Sequence, residues 1–150
     1  MNMASRIRWG RAIAAALLSE LAVIVVLLAV TLTYSLLIAP GRSSAEYQRF
    51  GEAAGYYVAP AASGFAIFLS VFWMARKLTA DFVVNGTLVG VMAVVLTAGF
   101  LFGAKPEDRP MYIASFAIRI VAGYLGGLTT QAAFNRRRTS AESAVGEPGI

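Results

Sequence analysis

Apolar residues fall along this chain in four long blocks separated by short polar stretches. Ala12 to Ile38 reads AIAAALLSELAVIVVLLAVTLTYSLLI, and Tyr56 to Ala75 reads YYVAPAASGFAIFLSVFWMA. Phe82 to Gly103 reads FVVNGTLVGVMAVVLTAGFLFG, and Met111 to Phe134 reads MYIASFAIRIVAGYLGGLTTQAAF. Crossing a hydrocarbon core of ~30 Å takes about 20 helical residues, because lipid offers no partner to a backbone N–H or C=O. Each block meets that length, so the pattern predicts one membrane domain over residues 1–134 with transmembrane helices at 12–38, 56–75, 82–103 and 111–134. Arg6, Arg8 and Arg11 precede the first block as they would in a signal peptide. Its apolar run is about twice the ~7–15 residues of a signal core, however, and Pro40–Gly41 ends a helix rather than marking a cleavage site.

The connections set the expected architecture. RKLTAD and AKPEDRP are short, which predicts that the second and third helices, and the third and fourth, are antiparallel neighbours. PGRSSAEYQRFGEAAG is longer and has room for a short interfacial turn. Pro60 falls about one turn into the second span, where a missing donor costs least. NRRRTSAESAVGEPGI has no apolar period and predicts a basic, disordered cytoplasmic tail over 135–150. The expected fold class is therefore an all-α membrane protein, an antiparallel up-and-down four-transmembrane-helix bundle.

Charge gives the bundle a direction. Arg6, Arg8, Arg11, Arg76, Lys77, Arg136, Arg137 and Arg138 share one side in this scheme, and Arg42, Arg49, Lys105 and Arg109 share the other. Cytoplasmic loops carry the excess of Lys and Arg, so both termini are expected in the cytoplasm of a multi-pass protein of the bacterial inner membrane. Trp9 and Trp73 then flank the cytoplasmic face, while Tyr34, Tyr56, Tyr57 and Tyr112 fall near the outer one, as interfacial aromatics do. The net charge of +5 does not point to nucleic acid, because the basic residues sit at the edges of apolar blocks rather than on one face.

Composition then narrows the chemistry. At 58% hydrophobic the chain exceeds the ~45–50% of a soluble domain. It contains no Cys and no His, which removes disulfides, thiol redox chemistry, the usual zinc ligand sets and imidazole catalysis. Ser19, Ser63, Ser70 and Ser115 have no visible base, and no cofactor or metal is implied, so an enzyme is not expected.

Small residues are concentrated in the last two spans. Gly86, Gly90, Ala93 and Thr97 recur on one narrow face of the third, and Gly99 and Gly103 form a further GxxxG pair. Gly123 and Gly127 form GxxxG in the fourth, beside a face of Ala122, Gly126, Thr130 and Ala133. In lipid, helices associate where small residues let backbones approach, so these positions are expected to pack within the bundle or, by the same motif, against a second copy or another membrane protein.

The polar residues inside the blocks are the candidate site: Glu20, Asn85, Arg119 and Gln131. A charge at a helix centre costs about 2.5–3.5 kcal/mol on insertion scales, and each Leu, Ile, Phe or Val returns only ~0.3–0.6. The fourth span, with Arg119, Gln131 and three glycines, is thus the marginal one. Counting from the span ends at 1.5 Å per residue leaves an axial gap of roughly 5 Å between Glu20 and Arg119, within reach of two long side chains. Cβ bonds tilt toward each helix's N-terminus, which in antiparallel helices leans the two residues apart. Two readings therefore stand side by side: an intramembrane ion pair, or two side chains each snorkelling to its nearer interface. For Glu20 there is a further choice between carrying a proton in a desolvated site and making a structural hydrogen bond to Asn85 or a helix backbone.

RIRWGR before the first span, the RKLTAD turn, NGTLVG opening the third span and the glycine-rich fourth together resemble small four-span membrane proteins found in many bacteria, a group with no assigned activity. The carboxylate of the first helix, Glu20 within SELAV, is similar to that of the small multidrug resistance transporters, from which this chain departs in carrying Arg119. The first resemblance carries no activity, and the expected role is that of a small accessory or assembly bundle with the lipid bilayer as its partner. The second implies a proton- or ion-coupled small-molecule transporter using Glu20.

Overall fold

The computed structural model describes residues 7–145 apart from Lys77 and Thr79, with side chains as far as Ser140. Arg6 and Lys77 of the charge pattern, and residues 146–150 of the expected tail, lie outside the described residues. The chain is helical almost throughout: α1 Trp9–Thr33, α2 Ser44–Ala75, α3 Phe82–Thr97, α4 Gly99–Gly103 and α5 Arg109–Val145. A π-helical turn, Tyr34–Ile38, prolongs α1. Four helical stretches, Trp9–Ile38, Ser44–Ala75, Phe82–Gly103 and Arg109–Ser140, are long and apolar enough to cross a membrane. Their outward surfaces agree with that setting, since Leu17, Leu21, Ile24 and Leu28 on α1 and Phe65 and Leu69 on α2 are exposed. A soluble protein rarely leaves apolar surface so continuous.

Helix boundaries depart from the apolar pattern in two places. The stretch expected as a loop with an interfacial turn is helix from Ser44 onward, continuous with the second span. The cause is a capping box: the Ser43 hydroxyl accepts the Glu46 N–H, while the Glu46 carboxylate accepts the Ser43 N–H at 3.1 Å. Two orphan donors at the helix start are satisfied reciprocally, and Arg42 adds an i,i+4 ion pair with Glu46 at 3.1 Å. Pro60 consequently lies in the interior of α2 rather than near its start. At the other end, α5 runs on to Val145 where a disordered tail was expected. No Gly or Pro interrupts 135–145, and the Thr139 and Ser140 hydroxyls donate back to the carbonyls of Asn135 and Arg136.

Packing follows the small residues rather than the loop lengths. α5 lies against α3 and α2, α1 lies against α2 and α3, and α2 touches α3 only lightly. The short turn from α2 to α3, made tight by the left-handed Asp81 at φ 57, brings two helix ends together without making the helices principal neighbours. What selects partners is close approach. A Cβ on Gly86 would come within 2.6 Å of the Gly123 carbonyl oxygen, and one on Gly127 within 2.6 Å of Val83 Cα. A Cβ on Gly126 would meet Val71 and the Phe68 carbonyl of α2, at 3.1 and 3.3 Å. Gly99 and Gly103, by contrast, face open space, so the further GxxxG pair packs against nothing.

The core gathers at one end of the bundle. Ala12, Ala15 and Ala16 form a small-residue stripe on α1 and are buried with Ile67, Val71 and Met74 of α2 and with Phe82 and Val89 of α3. That end is where the start of α1 meets the start of α3, through a hydrogen bond from the Arg8 N–H to Asn85 Oδ1 at 3.0 Å. It is also where Phe82 meets Phe134 of α5, with ring centroids 5.2 Å apart. At the opposite end the α1–α2 corner is locked by aromatics: Tyr34 stacks on Phe50 at 3.7 Å, and the Tyr47 hydroxyl donates to the Ala39 carbonyl at 2.8 Å.

Candidate functional site

Arg119 enters the bundle because α3 has no side chain in its way. A Cβ on Gly90 would lie 2.5 Å from the Arg119 carbonyl oxygen, so α5 can bring Arg119 to this depth only against a glycine. From there the guanidinium extends along α3, and Nη1 donates to the Ala93 carbonyl at 3.1 Å and to Thr97 Oγ1. Thr97 Oγ1 in turn donates to the Ala93 carbonyl at 2.8 Å.

Glu20 comes to the same point from α1. Arg119 Nη1 lies 3.0 Å from Glu20 Oε1, and Nη2 donates to Oε2 at 3.3 Å. Register explains the meeting. The Arg8–Asn85 bond sets α1 and α3 in step, and Glu20 is twelve residues past Arg8 just as Thr97 is twelve past Asn85. At 1.5 Å per residue both rise ~18 Å from that bond and so lie level. The tilt of the Cβ bonds carries the long Arg119 side chain toward Thr97, and at that level Glu20 is waiting for it.

The pair closes the floor of a cleft of about 1060 Å³ formed by α1, α2, α5 and the end of α3. Tyr56, Pro60, Tyr112 and Ser115 line its walls, and Arg49, Glu52, Lys105 and Asp108 place two charges of each sign toward its mouth. Pro60 has no N–H to give, so the Tyr56 carbonyl one turn earlier loses its helical donor. Arg119 is only 7% exposed, yet its Nε has no hydrogen-bond partner, and Glu20 Oε1 meets Arg119 as an ion pair without a hydrogen bond. Buried polar atoms are rarely left in that state. A donor of Arg119 and an acceptor of Glu20 thus both belong to residues that line a cleft of mixed polar and apolar walls.

The other expected site residues lie elsewhere. Asn85 is fully buried at the Arg8 end, where its Nδ2 donates to the Asp81 carbonyl at 3.0 Å; the expected approach of Glu20 to Asn85 is not made, and among the described residues Glu20 bonds to Arg119. Gln131 is exposed on α5, away from the pair. Gly86, Gly90, Gly123 and Gly127 form the α3–α5 contact, and Gly126 the α2–α5 contact. Thr97 is the member of the polar cluster that apolar patterning hides, because it reads as one more small residue on the Gly86–Gly90–Ala93 face. Among the described residues no cluster of three or more metal-ligating side chains occurs. Known proteins give no match to this chain, whether family models, curated sequences or solved structures are compared.

Proposed function

We propose that this chain is a four-span protein of a bacterial inner membrane, an antiparallel up-and-down bundle with both termini in the cytoplasm, that exchanges a small polar or charged solute against a proton or ion at Glu20. The observation that carries this reading is that Glu20 and Arg119, paired at 3.0 Å, line one cleft. A cationic solute and a proton both compete with Arg119 for the same carboxylate. Binding of either therefore loosens the tie between α1 and α5, which is the coupling an exchanger needs. Intramembrane ionisable groups that face a cavity mark ion and substrate pathways more often than structural fillers. The carboxylate in SELAV, similar in placement to that of small multidrug resistance transporters, points the same way.

The accessory or assembly reading would draw on the glycine faces to hold a partner; Gly86, Gly90, Gly123, Gly126 and Gly127 are occupied within the chain, while the Gly99–Gly103 pair is left open. The test is flux in proteoliposomes carrying a pH-sensitive dye, with tetraphenylphosphonium and glycine betaine as cationic and zwitterionic probes. Probe-dependent proton movement is expected for the native chain and its loss in Glu20→Gln. If flux is the same in Glu20→Gln, the exchanger reading fails and the bundle is left with an assembly role.

A further inference from the structure

Glu20 and Arg119 answer each other across 3.0 Å in a largely buried place, with 20% and 8% of their side chains exposed. Whatever draws one of them away strands the other there, and a buried charge without its partner is costly. A bare cation taken by Glu20 strands Arg119, and a bare anion taken by Arg119 strands Glu20. A solute that carries both signs strands neither, because each of its charges replaces the one it displaces. The same two residues also hold hydrogen-bonding capacity in reserve. Among the described residues Arg119 Nε has no hydrogen-bond partner, and neither has Glu20 Oε1. Ser115 stands one helical turn before Arg119 on α5 and lines the same cleft. Ser19, Ser63 and Thr130 turn their hydroxyls to carbonyls of their own helices, whereas that of Ser115 makes no hydrogen bond among the described residues.

We propose that this cleft takes a free α-amino acid, its carboxylate on Arg119 and its ammonium on Glu20, inserted between the two side chains that pair in its absence. The proposal rests on reading the cleft as a solute site and names the class of that solute. The two charges of an α-amino acid flank a single carbon, so it bridges groups that part only a little from 3.0 Å. Its carboxylate can take up Arg119 Nε in a bidentate fork. Its ammonium brings three N–H donors, for which Glu20 Oε1 and the Ser115 hydroxyl are acceptors. A quaternary nitrogen has no N–H to give them. With the pair closed, Arg119 Nε and Glu20 Oε1 are buried, so the amino acid enters by parting the pair and not by adding at its edge. The cleft, of about 1060 Å³, leaves room for the rest of the solute beside Tyr112 and Phe116. A site whose buried groups match two charges rejects an analogue that lacks either, since one of those groups is then left unpaired.

The test measures binding to the purified full chain in a neutral detergent, by calorimetric titration and thermal melting, with no gradient present. L-phenylalanine, L-leucine and L-alanine are each compared with their methyl ester, which keeps the ammonium alone, and with their N-acetyl derivative, which keeps the carboxylate alone. At least one of the three amino acids is expected to bind and to raise the melting temperature, at least tenfold tighter than its ester, its N-acetyl derivative or glycine betaine. In Glu20→Gln the amino acid should lose its advantage over the N-acetyl derivative and keep its advantage over the ester, a split that a merely loosened bundle does not produce. If that variant does not fold, the ligand series on the native chain decides alone. Binding by none of the three amino acids, or an ester as tight as its parent, would overturn the proposal. The exchanger reading fails separately: an amino acid that binds in detergent but moves no protons in proteoliposomes upholds the site and ends the exchange. Proton movement with tetraphenylphosphonium and no amino-acid binding does the reverse.

Discussion

Arg119 is held by three helices at once, through its own backbone on α5, the Ala93 carbonyl and Thr97 hydroxyl on α3, and the Glu20 carboxylate on α1. Breaking a largely buried pair on one side leaves a charge without its partner, so the two single replacements together should cost more than the double replacement does. In a double-mutant cycle of Glu20→Leu and Arg119→Leu, measured by unfolding in detergent, a coupling of about 0.5–3 kcal/mol is expected; strictly additive losses would show that the two residues act independently. The arginine also depends on the glycine that admits it. Gly90→Ala should destabilise the bundle by about 1–3 kcal/mol, because the new methyl must displace backbone rather than a flexible side chain. Gly51→Ala serves as the opposite case: it faces open space inside α2 and should stabilise by about 0.5–1 kcal/mol. Both charged residues are legible in the sequence as ionisable letters in apolar runs. Their partnership is legible only as one of two readings, because choosing it turns on a register that the distant Arg8–Asn85 bond sets and that a depth estimate from span ends does not contain.

At the scale of elements, hydropathy locates helices only where they are greasy. The four apolar blocks appear as helices at nearly the expected places, but both departures, the twelve extra residues at the start of α2 and the continuation of α5 beyond Phe134, are polar helix. The first carries a legible signal in S-S-A-E, Ser43 followed three residues later by Glu46. Replacing that cap, Ser43→Ala, should cost about 1 kcal/mol at the helix start and raise hydrogen exchange at the Glu46 amide, with the spans below unaffected; unchanged protection there would mean that aromatic packing at Tyr34, Tyr47 and Phe50, and not the cap, holds this corner. Helix neighbours are less legible than helix positions. Loop length predicts α2 beside α3, yet the glycines direct α5 between them, since a contact that needs two bare backbones can form only where both helices supply one.

For the whole molecule, the distribution of side-chain size along the axis sets the shape. Alanines on α1 and glycines on α3 and α5 bring the helices together at the Arg8 end, while Tyr56, Tyr112 and Phe116 line the space left at the other. A bundle with its core at one end and the Glu20–Arg119 cleft toward the other presents the ion pair to that other end. That asymmetry can be read directly, because the chain contains no cysteine and any thiol introduced is the sole target. Ser115 lines the cleft and Ser63 is fully buried on α2. With a membrane-impermeant maleimide added outside intact cells, Ser115→Cys should label and Ser63→Cys should not. Labelling of Ser115→Cys only after the cells are opened would reverse the proposed orientation while keeping the cleft. Silence at Ser115→Cys from both sides would mean that lipid rather than water fills the space beside Arg119, and a solute could then reach Glu20 only from within the bilayer.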